Sequence, residues 1–157
     1  RSVTAEESPA NIWQGLVFSV AGLRLVSDMR EVSELLRMPE AITKVPGASP
    51  WLNGVANVRG NLLTIVDLQV FLGGKPIVVG KSTRVLVVQR GSLSCGLVVP
   101  GVTGMREFDV GNRLANARLE GAVGAYVFEA FKVGEDLWPV FSMAALASDS
   151  NFLSAAA

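Results

Sequence analysis

Trp51-Leu52-Asn53-Gly54-Val55-Ala56-Asn57-Val58-Arg59-Gly60-Asn61-Leu62-Leu63-Thr64-Ile65-Val66-Asp67-Leu68 is the stretch on which the fold turns. Its apolar runs at 55–58 and 62–66 flank Arg59-Gly60-Asn61, the spacing of two strands joined by a tight turn. Side chains alternate between the faces of a strand, so Asn57 and Arg59, two apart, emerge on one side. Gly60 supplies the backbone freedom of the turn. On the upstream side, Ser49-Pro50 followed by Gly54 reads as one helical turn: Ser49 caps, Pro50 suits the first position and Gly54 takes the left-handed stop. On the downstream side, Asp67 is placed to cap a short helix over 68–72 that ends at Gly73-Gly74. An arginine on a tight turn needs a partner for its planar fork, and Glu34 is the best placed if its strand lies close. Arg59 then either pins the turn through that ion pair or is presented at an interface, where arginine is enriched.

Outward from this stretch the chain keeps the same style. The apolar run 16–20 and the run 23–26 meet through Ala21-Gly22, a hairpin signal. A strand style continues at 32–36, and strands are expected at 84–89, 94–99, 102–108, 125–133 and 138–141, punctuated by many of the 16 Gly and 7 Pro. Residues 109–122 are polar, poor in strand formers, and read as a long loop or short helix. Ser142 caps a final short helix over 143–147. Strands at such short spacing, with Gly turns and only brief helices, predict an all-β chain of barrel or sandwich type. No repeat of fixed period interrupts the pattern.

Composition narrows the function. A chain of 157 residues is one domain, or two small halves sharing a core. Half of it is hydrophobic, enough to build that core. Lys+Arg and Asp+Glu both number 14, so no basic excess exists to hold a phosphate backbone, and nucleic-acid binding is not expected. There is no His, which removes the Ser-His-Asp triad, His-ligated metals and the commonest general base. The single Cys95 allows no internal disulfide and no zinc site, and points to a reducing, cytoplasmic setting. No apolar run reaches the roughly 18 residues of a membrane span. The chain opens without Met and reads as trimmed, with a polar start unlike a signal peptide. No catalytic residue, metal site or cofactor is expected.

Four motifs test that exclusion. Gly74-Lys75-Pro76-Ile77-Val78-Val79-Gly80-Lys81-Ser82 is like a phosphate-binding loop, but five residues separate the glycines where four are needed. A strand rather than a long helix follows it, so it reads as a turn. Cys95 lies among apolar residues with no activating neighbour and reads as a small core residue. The carboxylates Glu6/Glu7, Glu31/Glu34 and Glu135/Asp136 are not brought together on any expected element. Trp13, Trp51 and Trp138 lack the basic interleaving of a base-stacking platform and read as structural.

The segment 54–68 also resembles the signature of the CheW-like family, the coupling proteins of bacterial chemosensory systems: Gly54-Val55, Asn57, Val58-Arg59-Gly60, an apolar run, then Asp67-Leu68. Further similarity lies in 16–20, in Val32-Ser33-Glu34-Leu35, in 46–54, in 84–89 and in Gly96-Leu97-Val98-Val99 with Gly101-Val102, covering roughly 15–148. Size and composition direct the resemblance toward members serving type IV pilus systems. Thr64 stands where many relatives carry Pro, and 109–122 matches poorly.

The resemblance implies two packed, small, SH3-like, five-stranded β-barrel subdomains sharing a core over 15–148, with an N-terminal extension over 1–14 and a C-terminal tail over 149–157. It implies a non-catalytic adaptor between the cytoplasmic tip of a chemoreceptor (a methyl-accepting chemotaxis protein) and the regulatory domain of a CheA-type histidine kinase. Such an adaptor is cytoplasmic and meets membrane receptor arrays through its partners. By position, Val32, Glu34, Asn57, Arg59, Val102 and Met105 fall on the implied partner surfaces, and Gly54, Gly60 and Gly96 on turns that shape them. Two other readings stay open: a CheW-like regulatory domain cut from a larger kinase or coupling protein, and a small-molecule-binding barrel.

Overall fold

A computed structural model describes residues 11–91 and 93–156. Residues 1–10 of the expected N-terminal extension, Glu6 and Glu7 among them, Ser92 and Ala157 lie outside the described residues. The first strands are β1 (Ile12–Val20) and β2 (Leu23–Asp28), paired with Val20 opposite Leu23. Ala21 and Gly22 both have positive φ, 53° and 77°, the two-residue turn whose twist matches that of its strands. The chain then leaves this sheet and builds a second one. That sheet contains β3 (Glu34–Arg37), β4 (Leu52–Val58), β5 (Asn61–Asp67), β6 (Arg84–Arg90) and β7 (Leu93–Val99) in the order β3-β6-β7-β5-β4. β5 runs parallel to β7, which requires a crossover. The four-residue helix α1 (Leu68–Phe71) lies on it, and the Asp67 carboxylate caps α1 by accepting the Val70 amide at 3.0 Å.

After β7 the chain returns to the first sheet. β8 (Gly101–Asp109) pairs with β1 on the side away from β2. β9 (Arg113–Ala115), β10 (Val127–Val133) and β11 (Asp136–Phe141) complete the order β8-β1-β2-β11-β10-β9. Among the described residues the molecule is thus mostly strand in two sheets, of six and five strands, with few short helices. The sixth strand is the three-residue β9, which lies inside the polar stretch expected to be loop or helix. None of its three residues is buried, and it lies at the end of its sheet, so no burial marks it in the sequence.

Strand alternation distributes the apolar runs among three cores. Val17 and Val26 enter the first barrel with Trp13, Phe108, Phe131 and Trp138. Ile65, Val85 and Val87 enter the second with Ala56, Leu63 and Val98. Their neighbours Leu16, Phe18, Leu25, Val66, Leu86 and Val88 point the other way, into a larger core shared by both sheets. Strands buried on both faces read as unbroken apolar runs, the pattern seen at 16–18, 85–88 and 97–99.

The shared core is covered by two short helices near the end of the chain. α2 (Met143–Ala147) begins at Ser142, whose hydroxyl accepts the Ala145 amide at 3.0 Å, as expected. α3 (Ser150–Ala156) follows within the segment read as a tail, and its Phe152 is fully buried against Phe71. Asp149 holds α3 in place: one carboxylate oxygen accepts the amides of Asn151 and Phe152, the other the Tyr126 hydroxyl.

Two expectations around Gly54 are corrected. No helical turn forms over 49–54. The Leu52 amide donates to the Ser49 carbonyl at 3.0 Å in a simple turn, and β4 starts there. Gly54 is no helix stop; it sits inside β4 at a register shift, with φ 145°. A side chain there would strike the Thr43 carbonyl and Ile42, because residues 42–43 lie across β4 through a Thr43–Val55 bridge. Gly96 is likewise no turn. It lies mid-strand in β7, and its missing side chain makes room for Val85, Ile65 and Leu63 in the second barrel's core.

Candidate partner-binding surfaces

The β4–β5 hairpin turns on Arg59 and Gly60, with φ 53° and 84°, between Val58 and Asn61. The Asn57 side-chain oxygen accepts the Gly60 amide at 2.9 Å, so Asn57 shapes the turn as well as facing outward. Gly accepts the left-handed region freely, whereas an arginine there costs about 1 kcal/mol. Arg59 holds this conformation while its guanidinium pairs with the Glu34 carboxylate, the partner expected from the sequence. Both groups remain substantially exposed, at 64% and 38% of their side chains. Such a pair contributes at most about 1 kcal/mol.

The position of the pair matters more than its strength. Glu34 opens β3 and Arg59 follows the last residue of β4, and these strands are the two edges of the five-stranded sheet. The ion pair ties the edges together at one end. Along the remaining gap lies an open groove of about 760 Å³, walled by Leu36 and Arg37 on β3 and by Val55, Val58 and Leu62 on the hairpin. Leu62 is 72% exposed, although the position sits in an otherwise apolar strand.

The remaining site candidates lie elsewhere. Val32, just before β3, is half-buried against the shared core, and so is Val102 on β8. Met105, also on β8, is exposed opposite Leu16. The structure therefore gathers Glu34, Asn57 and Arg59 at the mouth of the second barrel, places Val102 and Met105 on an edge strand of the first, and turns Val32 inward. Sequence reading missed the groove walls and the exposed pair Val78–Val79. The available signal was Leu62, an apolar residue at an outward position beside the turn.

Cys95 is fully buried, and burial pushes its thiol up to about 12, far from a reactive thiolate. The loop after α1 is held by Asp67, whose second oxygen accepts the Ile77 amide at 2.9 Å, and it runs into β6 rather than a helix. Glu31 accepts the Met143 amide while Glu34 pairs with Arg59, so these carboxylates do separate structural work. Trp13 and Trp138 fill the first barrel, and Trp51 packs edge-on to Phe71. Among the described residues, no cluster of His, Cys, Asp and Glu is suited to a metal, and no helix is long and apolar enough to cross a membrane.

Comparison with known proteins covers both barrels. Residues 14–151 match the CheW-like domain family. The chain is 39% identical to the protein PilI of Pseudomonas aeruginosa, over 97% of this chain and 85% of that one. It is 32% identical to FrzA of Myxococcus xanthus, over 73% and 69% of the two chains. Its fold is similar to that of the scaffolding protein TtCheW from Thermoanaerobacter tengcongensis, with a TM-score of 0.73, 22% identity, and coverage of 83% of this chain and 89% of that one. With the signature hairpin in place and similarity running through both barrels, the chain belongs to the CheW-like family.

Proposed function

We propose that this chain is a non-catalytic adaptor that couples the cytoplasmic tip of a chemoreceptor to the regulatory domain of a CheA-type histidine kinase. The observation that carries the reading is the family match over 14–151, which takes in both barrels. Similarity to PilI directs it to the type IV pilus branch of chemosensory signalling. The geometry supports it with surfaces on different barrels: the Glu34–Arg59 rim with Asn57 on one, the β8 edge with Val102 and Met105 on the other. An adaptor holding two partners at once presents each to the other at high effective concentration, so a change in the receptor biases the geometry of the kinase. Such a protein works at receptor arrays on the cytoplasmic face of the membrane, through its partners.

The test uses purified components and calorimetry. The chain is titrated with a receptor-tip fragment and with the kinase regulatory domain, singly and together, as wild type and as Arg59→Ala. We expect both partners to bind at once, and Arg59→Ala to weaken one of them by about 1–3 kcal/mol with the fold intact. Failure of either partner to bind overturns the reading. Unchanged affinity in Arg59→Ala, with only a lower melting temperature, would reduce the ion pair to a structural pin.

A further inference from the structure

We propose that the groove of the second barrel receives the Val78–Val79 loop of a second copy of this chain, reciprocally, in a two-fold dimer. The inference goes beyond the adaptor reading and does not rest on it. Val78 is 92% exposed and Val79 55%, two adjacent apolar side chains at the tip of an irregular segment. Single exposed aliphatics are ordinary, whereas here two neighbours together present a small contiguous apolar patch on a loop held at both ends. The tether is extensive. Asp67 accepts the Ile77 amide at 2.9 Å, and the Gln69 amide group donates to the Lys75 carbonyl at 2.8 Å. At the far end Thr83 accepts the Gly80 amide at 2.9 Å, and Arg84 donates to the Lys81 carbonyl at 2.7 Å. A projection already ordered in the monomer loses little freedom on docking.

The occupant is identified by complementarity within the chain itself. The groove is walled by Leu36, Val55, Val58 and Leu62, apolar partners for two valines. Lys75 and Lys81 flank the tip, and neither makes an ion pair among the described residues. Glu40, on the groove lining, is equally without one and supplies the opposite charge, while Arg37 on the β3 wall is the cation the lysines must avoid. Projection and groove are neighbours on one barrel: Ile77 packs on the same small core as Leu36 and Val58, and Arg37 pairs in register with Arg84, just past the loop. A patch holding both a projection and its receptacle is self-complementary about a two-fold axis, each copy filling the other. The formal net charge of zero leaves no global repulsion to oppose it.

Sedimentation velocity on the whole chain, from roughly 10 μM to 1 mM, reads the association directly. We expect the weight-average mass to rise from that of a monomer toward that of a dimer and to level off there. Val78→Asp and Leu62→Asp alter exposed side chains, so each variant should melt as wild type does and remain monomeric. Mixed, they keep one wild-type contact in each pair but set the two introduced carboxylates against each other in the second, so association should stay well below that of wild type. A wild-type chain that stays monomeric at 1 mM overturns the proposal. So does dimerisation that survives both substitutions, a mixture that associates as strongly as wild type, or growth past the dimer into open chains, either of the last two marking a head-to-tail contact.

Discussion

The two barrels share an architecture and are filled by opposite means. The first encloses Trp13, Phe108, Phe131 and Trp138, with ring centroids 4.9–6.0 Å apart. Three guanidiniums lie against its rings: Arg24 at 3.4 Å and Arg106 at 4.4 Å from the Trp138 centroid, and Arg113 at 5.4 Å from that of Phe131. The second is aliphatic, built on Ala56, Leu63, Ile65, Val85, Val87 and Val98. Large rings with arginines laid on them fill a barrel and cover it in one device. Small branched side chains fill the interior only, and the gap between β3 and β4 stays open, tied by the Glu34–Arg59 pair and lined by the groove.

The sharpest way to break this comparison is to hollow the aromatic barrel. Phe131 is fully buried and touches both Trp13 and Phe108, so Phe131→Ala should cost about 3–5 kcal/mol in urea unfolding. A loss below 1 kcal/mol would show that the rings are not what holds that barrel. The aliphatic barrel is tested from the other direction. Gly96→Val drives a side chain into Val85, Ile65 and Leu63, and should cost about 1–3 kcal/mol. Tolerance without loss would mean the second core is slack rather than full.

A third prediction concerns the helix that covers the shared core between them. The Tyr126 hydroxyl, and then the amides of Asn151 and Phe152, hold the Asp149 carboxyl below its ordinary 3.8. A depressed folded value makes the ionised form stabilising above the unfolded value and withdraws that contribution as acid protonates it. Docking of α3 should therefore be full at neutral pH and weaken below about pH 4, read by amide exchange at Phe152. Tyr126→Phe should shrink this acid dependence and cost about 1 kcal/mol. An unchanged acid profile in the variant would remove Tyr126 from the cause.

The smallest effect is expected at the rim. Arg59→Gly relieves a left-handed arginine while deleting an exposed ion pair, and the two roughly cancel. Stability should stay within about 0.5 kcal/mol of wild type by urea midpoint. A larger fall would make the pair a structural tie that the second barrel needs.

Much of this was legible in the sequence wherever the cause is local. The Ala21-Gly22 hairpin, the caps at Asp67 and Ser142 and the buried Cys95 follow from residue chemistry within a few positions. The Glu34–Arg59 pairing was legible as a condition, because a guanidinium on a turn demands a carboxylate and Glu34 lies in the preceding strand region; that the two come close is the structure's finding. What escaped depends on distant neighbours. Gly54 resembles a helix stop until residues 42–43 are found lying across it, and Gly96 resembles a turn until the side chains filling its space are seen. β9 carries no apolar signal because its pairing with β10 needs none.

By itself, then, the sequence determined the mostly-strand character, the turns at 21–22 and 59–60, the caps at Asp67 and Ser142 and the signature hairpin, since these follow from alternation, φ preference and hydrogen bonding over short spans. Only the tertiary structure decided which face of each apolar run serves a barrel and which the shared core, and that β3 and β4 end up at opposite edges of their sheet, with Thr43 bridged to Val55 on β4. The same holds for the valine-tipped loop, which the fold brings beside the groove. Those outcomes depend on how two sheets curl and pack, and no local preference encodes the space left between them.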